Sequence, residues 1–230
     1  KIKFLGTKSK PIILRGQSKS WKGIYIIEAK EKSIIKNVIL SDISELDEGI
    51  LDLTGGITFY RSNLLIDNLE ISNTFSEDAI NIIESNYEIK NLKIYNTISD
   101  GIDFDFSNGN INNSIFQNIG GDAIDFAGTN GSLNKIEINN VKDKGISVGE
   151  NSDLKASNIN INNTKIGIAT KDGSNLLIKN CKIDNSSYVA VATYIKKDFY
   201  LSPKMLINNC EINPINSHLK QKGTMLFIDD

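Results

Sequence analysis

The chain is poor in the residues that carry most metal and nucleophile chemistry. Its 230 residues include only 1 His, 2 Cys, 3 Pro and 1 Trp. One histidine and two cysteines without a CxxC spacing exclude a zinc site of ordinary composition. No apolar run approaches the roughly 18 residues that a membrane-spanning helix needs. The opening KIKFLGTK has neither an initiator Met nor the apolar segment of a signal peptide, so the chain reads as a mature protein or an excised domain. The net charge is -2, and no Lys/Arg cluster interleaves with aromatics, which leaves no electrostatic footprint for nucleic acid. Helical periodicity is missing too: apolar residues do not recur at 3.6-residue spacing.

What is present is a repeat. GIDFDFSNGNINNSIFQNI, AINIIESNYEIKNLKIYNT and GISVGENSDLKASNININNT align with gaps of no more than one residue. Ile80, Ile102, Ile124, Ile146 and Ile168 recur every 22 residues, with Ile57 and Val191 each one residue off that period. Every unit holds two short runs of period 2, the signature of strands. Asn73, Asn96, Asn118, Asn140, Asn163 and Asn185 share one place after the second strand. Asn37, Asn68, Asn91, Asn113, Asn158, Asn180 and Asn209 share another before it, interrupted by Lys135. Asparagine tolerates left-handed backbone, and its amide can bond an identical amide stacked about 4.8 Å away. A composition that is 40% hydrophobic can fill the core that such stacking encloses. The pattern predicts an all-β, single-stranded parallel β-helix, a solenoid of about eight coils of roughly 22 residues. It forms a single domain over 1–230, with regular coils at about 11–213 and a closing segment at 214–230.

The strand and turn motifs resemble those of right-handed parallel β-helix proteins of the pectin-lyase-like group. The likeness rests on the NxxI turns and on the GI strand of WKGIYI, GGITFY, DGIDFD, GDAIDF, KGISVG and IGIATK, and it covers roughly residues 11–213. PIILRGQSKSWKGI and VGENS…KIGIATKDGS also look like bacterial β-helix modules attached to spore-coat-type kinase domains. Two stretches break the period, 41–56 and 195–204, and both are expected as loops beside the GI strands. The first coil starts in mid-pattern, which implies further coils or another domain upstream. Pro214 is expected to end the regular repeat, and 215–230 to close the bottom with a final strand that leaves His218 away from the acidic residues. Cys181 and Cys210 share an inward position with Leu92, Ile115 and Ile159. They are expected as stacked free thiols, because a disulfide needs Cβ atoms closer than an ideal rung.

The candidate chemistry lies on the GI strands. With the isoleucines inward, Asn81, Asp103, Asp125 and Ser147 form one outward column, with Asp105 beside it. Asp78, Asp100 and Asp122 form a second column at the turn, continued by Lys144. Two charges about 4.8 Å apart repel by roughly 3.5 kcal/mol at an effective dielectric near 20, so something must offset them. Three offsets suggest themselves. Turn hydrogen bonds to the backbone are one, with Lys144 as counter-charge. A calcium ion held by Asp78, Asp100, Asp103, Asp122 and Asp125 is another. Use of Asp100, Asp122, Asp103, Asp125, Lys144 and Lys171 in catalysis is the third.

The spacing of SDGID, GDAI, KGISVG and IATK resembles that of the polygalacturonase-type hydrolases, which implies that Asp100, Asp122 and Lys171 match family positions. Gly121, Lys144 and Ala169 depart from that pattern, at one carboxylate, the histidine and the arginine. A uronate lyase or epimerase would draw on Lys144, Lys171, Tyr60 or Arg61 as base or cation. Tyr188 and Tyr194 are candidates for lining the same face. The resulting expectation is a structural or glycan-binding module of a secreted or surface-exposed bacterial protein. The alternative is a polysaccharide-active enzyme working on the acidic face.

Overall fold

The computed structural model describes residues 1–17, 19–48, 51–214 and 217–229. The chain winds as a right-handed β-solenoid of parallel strands, and the described residues contain no helix. Its first ladder is built from the GI strands. Nine rungs run from Ile24–Ile27 through Gly55–Tyr60, Asp78–Ile83, Asp100–Asp105 and Ile124–Ala127 to His218–Lys220. A second, longer ladder stacks Ser33–Ser44, Leu64–Phe75, Asn86–Thr97 and Asn108–Ile119, continues through the later coils and ends at Met225–Asp229.

The two asparagine columns are the corners of the second ladder. Asn68, Asn91, Asn113, Asn158 and their column mates have φ between 50° and 63°, as do Asn73, Asn96 and Asn118. Lys135 takes the same conformation at φ 57°. Amide-to-amide bonds link the coils, with Asn118 Nδ2 donating to Asn96 Oδ1 at 2.9 Å and Asn140 Nδ2 to Asn118 Oδ1 at 3.1 Å. A third corner, after the GI strand, is closed by hydroxyls. Ser62, Ser85, Ser107, Thr129, Ser152 and Ser174 are all buried. Ser85 Oγ accepts the Ser62 N–H at 2.8 Å and donates to the Ile83 carbonyl at 2.8 Å, and the same two bonds recur at Ser107 and Thr129. Each hydroxyl thus satisfies one buried N–H and one buried C=O that would otherwise cost about 1–3 kcal/mol apiece.

Inside, identical side chains stack. Ile57, Ile80, Ile102, Ile124, Ile146 and Ile168 are fully buried, and the Phe104 and Phe126 rings stack at 4.9 Å between centroids. The stretch at 41–56 holds an antiparallel hairpin of Leu46–Glu48 and Leu51–Leu53, set just before the GI strand Gly55–Tyr60. The other interruption leaves the GI ladder after Tyr194. It is tied down by Asp172 Oδ1, which accepts the Lys196 and Lys197 N–H groups at 2.6 and 2.9 Å, and by an ion pair of Lys197 with Glu150.

Three expectations are revised. Ser114, not Ile115, takes the inward place beside Leu92, whose N–H it accepts at 3.2 Å; Ile115 lies outward. The residue following each corner Asn is the one that turns in. Cys181 and Cys210 do stack in that column but are joined as a disulfide. Their Cα atoms are 4.4 Å apart, within the range of about 4.4–6.8 Å that a bridge accepts; an ideal rung also lies in that range, so the rung spacing itself does not forbid the bond. After Pro214, two strands rather than one continue both ladders. His218 pairs with Val191, four rungs beyond Asp125. Replacing both cysteines by alanine is expected to lower stability by about 2–4 kcal/mol. A thiol titration of unreduced, denatured protein is expected to find no reactive thiol, and two would overturn the bridge.

Candidate functional site

The outward face of the GI ladder carries three columns of side chains. Pairing places Asp78, Asp100 and Asp122 in successive rungs at the turn. Asn81, Asp103, Asp125 and Ser147 occupy the middle column. In the third, Asp105 is followed by Ala127, Gly149 and Lys171. All five candidate carboxylates and both candidate lysines therefore lie on one face, within five coils.

The turn column is bonded to the scaffold. Asp100 Oδ1 accepts the Asp122 N–H at 2.8 Å, and Asp122 Oδ1 accepts the Lys144 N–H at 2.9 Å. The column then ends in a cation. Lys144 Nζ lies 3.1 Å from Asp122 Oδ1 and 2.6 Å from Asp143 Oδ2. Burial works against the Lys144 ammonium, but Asp122 and Asp143 outweigh it and hold the group charged well above its ordinary range.

The middle column is different. Among the described residues, Asp103 has no cationic neighbour within ion-pair range, and its Oδ2 accepts the Asn81 amide, which at 3.3 Å is shared with Asp105 Oδ2. Burial, reinforced by Asp105, Asp78, Asp125 and Asp100, pushes the Asp103 carboxyl up to about 9. Burial likewise raises Asp78 to about 7, against a hydrogen bond from Thr54, and Asp122 to about 6, against the pull of Lys144. Asp100 and Asp105 shift upward for the same first reason. Asp125 stands apart through Lys171, whose Nζ lies 3.8 Å from Asp125 Oδ1. Lys171 belongs two rungs further along, and its stem crosses Gly149 to reach down. A Cβ on Gly149 would lie 2.6 Å from Lys171 Cε.

Asp100, Asp122 and Asp125 bring carboxylate oxygens within 4.8 Å of one another, a spacing that could hold a cation; the group does not extend to Asp78 or Asp103. Calcium takes about six to eight oxygen ligands. Here Asp100 and Asp122 each commit an oxygen to a backbone N–H, and Lys144 already stands at the Asp122 carboxylate. A cation there would compete with these bonds and complete its shell with water. Arg61 turns away from the face to Glu84 at 2.8 Å and Glu28 at 3.5 Å, with its guanidinium over the Tyr60 ring. Tyr194 lies in the Lys171 column; with Tyr188, Ile166, Ala192 and Leu219 it lines an open groove of about 530 Å³ beyond the acidic rungs.

Two features were not anticipated from sequence: the reach of Lys171 over two coils, and the hydroxyl corner beneath the site. A Lys aligned with a Gly one period earlier was the available signal for the first.

Comparison with known proteins gives the following. Residues 78–223 match the family described as right handed beta helix region, which is more than half of the chain. No curated protein matches the sequence. Among solved structures, the Agl-KA catalytic domain is similar at a TM-score of 0.51 and 15% identity, over 86% of this chain and 47% of that one. The catalytic domain of a GH87 alpha-1,3-glucanase in complex with nigerose gives 0.49 and 14%, over 86% and 48%. The chain thus spans about half the length of each. At such identities the likeness is one of fold.

The two acidic columns separate experimentally. A carboxyl raised in the folded state binds its proton more tightly there than in the unfolded chain. Its contribution to stability is therefore full below the unfolded value near 4 and is lost as pH rises toward about 9. Asp103→Asn is expected to stabilise the protein at pH 8 by on the order of 1 kcal/mol and to change little at pH 4. Asp100→Ala is expected to destabilise by about 1 kcal/mol or more through the lost Asp122 N–H bond. Melts of both variants across pH check this, and a pH-independent Asp103→Asn effect would contradict it.

Proposed function

Because the chain belongs to the right handed beta helix family, we propose that it is a glycan-acting β-helix whose acidic face cleaves glycosidic bonds. One observation carries the reading. On one face, a carboxyl whose pKa is raised by burial and its acidic neighbours stands one coil from a carboxyl that meets a lysine, Asp103 beside Asp125 with Lys171. Glycoside hydrolysis asks for that division, one acid to protonate the leaving oxygen and one ionised partner to attack or to activate water.

In this reading Asp125 is the attacking or water-activating partner, and Lys171, 3.8 Å away, positions it. Asn81, donating to both Asp103 and Asp105, fixes the two candidate acids. The geometry links the choice of acid to stereochemistry. Directly opposed residues such as Asp103 and Asp125 sit about 4.8 Å apart, near the roughly 5–5.5 Å of double displacement with retention. Diagonal neighbours such as Asp105 and Asp125 sit about 7–8 Å apart, within the span of about 6.5–9.5 Å for single displacement with inversion. Asp100, Asp122 and Lys144 serve as the frame, since their polar atoms are spent on the backbone and on each other. A second reading, glycan binding without cleavage, is favoured by that same expenditure on the turn column. The disulfide supports a setting outside the reducing cytosol, in keeping with a secreted or surface-displayed protein.

The test is incubation with neutral and acidic polysaccharides, α-1,3-glucan and polygalacturonate among them, followed by assays for reducing ends, unsaturated ends and anomeric configuration. Reducing ends without unsaturation are expected, with Asp125→Asn lowering the rate by about 100-fold or more. Unsaturated products would point to a lyase. Binding without new ends would leave the second reading, and neither binding nor cleavage would remove both.

A further inference from the structure

The corner that follows the GI strand is left-handed in coil after coil. Glu28, Arg61, Glu84, Phe106, Gly128, Glu150 and Asp172 all have φ between 46° and 61°. At this corner Arg61 pairs with both Glu28 and Glu84, and Glu150 pairs with Lys197. Phe106 is the exception. A bulky aromatic at φ 49° is a backbone outlier, and the ring gains little from burial, being 59% exposed. Its position is nonetheless well defined. Phe106 N–H donates to the Ala127 carbonyl at 2.8 Å, and the ring lies against Gly128 one coil on, where a Cβ would stand 2.5 Å from Phe106 Cδ1. A glycine there is what leaves room for the ring. The residue just before Phe106 is Asp105, at the edge of the acidic face.

We propose that Phe106 is a stacking platform for a sugar ring of the glycan that occupies the Asp103–Asp105–Asp125 face. The phenyl lies against Gly128 and is more than half exposed, and the apolar side of a pyranose suits such a surface. A strained conformation is retained where surrounding structure fixes it and function uses it. Phe106 offers neither charge nor core packing to account for it otherwise, whereas Glu84 and Glu150, one coil before it and two coils after it, form ion pairs from the same corner. The inference rests on the proposed glycan reading and deepens it: it assigns a binding residue, outside the carboxylates, that selects for ring stacking and therefore acts on affinity.

Three variants test it: Phe106→Ala, Phe106→Gly and Phe106→Trp. Titrations use neutral gluco-oligosaccharides and oligogalacturonides, with the polysaccharide assay run alongside. Phe106→Ala and Phe106→Gly are expected to weaken binding, or raise KM, by about three- to tenfold with kcat little changed. Phe106→Trp is expected to retain affinity and to report it through its own fluorescence. Phe106→Gly is also expected to melt at or above the parent temperature, because glycine adopts positive φ freely. Weaker binding in a variant that is no less stable separates recognition from folding. A parent that binds glycan with Phe106→Gly unchanged in affinity overturns this inference alone. A parent that neither binds these oligosaccharides nor cleaves any polysaccharide overturns the glycan reading and this inference together.

Discussion

Every rung is hydrogen-bonded to its copy one coil away, and that single constraint sets the terms for all else in the molecule. Parallel pairing in register places each side chain about 4.8 Å from its equivalent. What stacks well is thereby rewarded once per coil, and what stacks badly is penalised once per coil. Isoleucine columns fill the interior, amides chain along two corners, and hydroxyls chain along the third. At these corners a donor finds its acceptor in the next copy.

The acidic face is the one place where the rule works against the structure. Asp78, Asp100 and Asp122 repeat as faithfully as the asparagines, yet carboxylates have no donor to offer one another. The chain relieves this in two ways. In the turn column the oxygens take backbone N–H groups, and the run is terminated by Lys144. In the middle column Asp125 takes the Phe126 N–H and meets Lys171, whereas Asp103 has the shared Asn81 amide, and burial with its acidic neighbours raises its pKa. Repetition thus produces an unequal pair, Asp103 and Asp125, from equal residues, because Lys171 reaches only one of them.

The fold was legible because its information is periodic. The isoleucine spacing, both asparagine columns, the outward column from Asn81 to Ser147 and Lys144 as counter-charge can all be read by aligning the sequence with itself. What escaped was of two kinds. Some signals were periodic but chemically bland. The Ser/Thr corner from Ser62 to Ser174 has the same period as the isoleucines and looks like ordinary turn composition, and Ser114 hides an inward place behind the more apolar Ile115. Others depend on distances the period does not contain. Whether Cys181 and Cys210 bridge turns on a Cα separation of 4.4 Å, and whether Lys171 meets Asp125 turns on the missing side chain of Gly149. The strain at Phe106 is likewise invisible until the backbone is drawn.

The descent of Lys171 across Gly149 ties a lattice that is otherwise indifferent to its own length. A solenoid of this kind can gain or lose a whole coil by duplication or deletion, since any coil fits against any other. Insertion of one coil between the rungs of Asp125 and Lys171 would leave both ladders intact and carry the ammonium about 4.8 Å farther off. Deleting the Gly149 coil would bring Lys171 directly above Ala127, without the glycine over which its stem now passes. Growth of the barrel is therefore free at its ends and constrained across these three coils, which makes the acidic face the part of the molecule whose coil number is fixed.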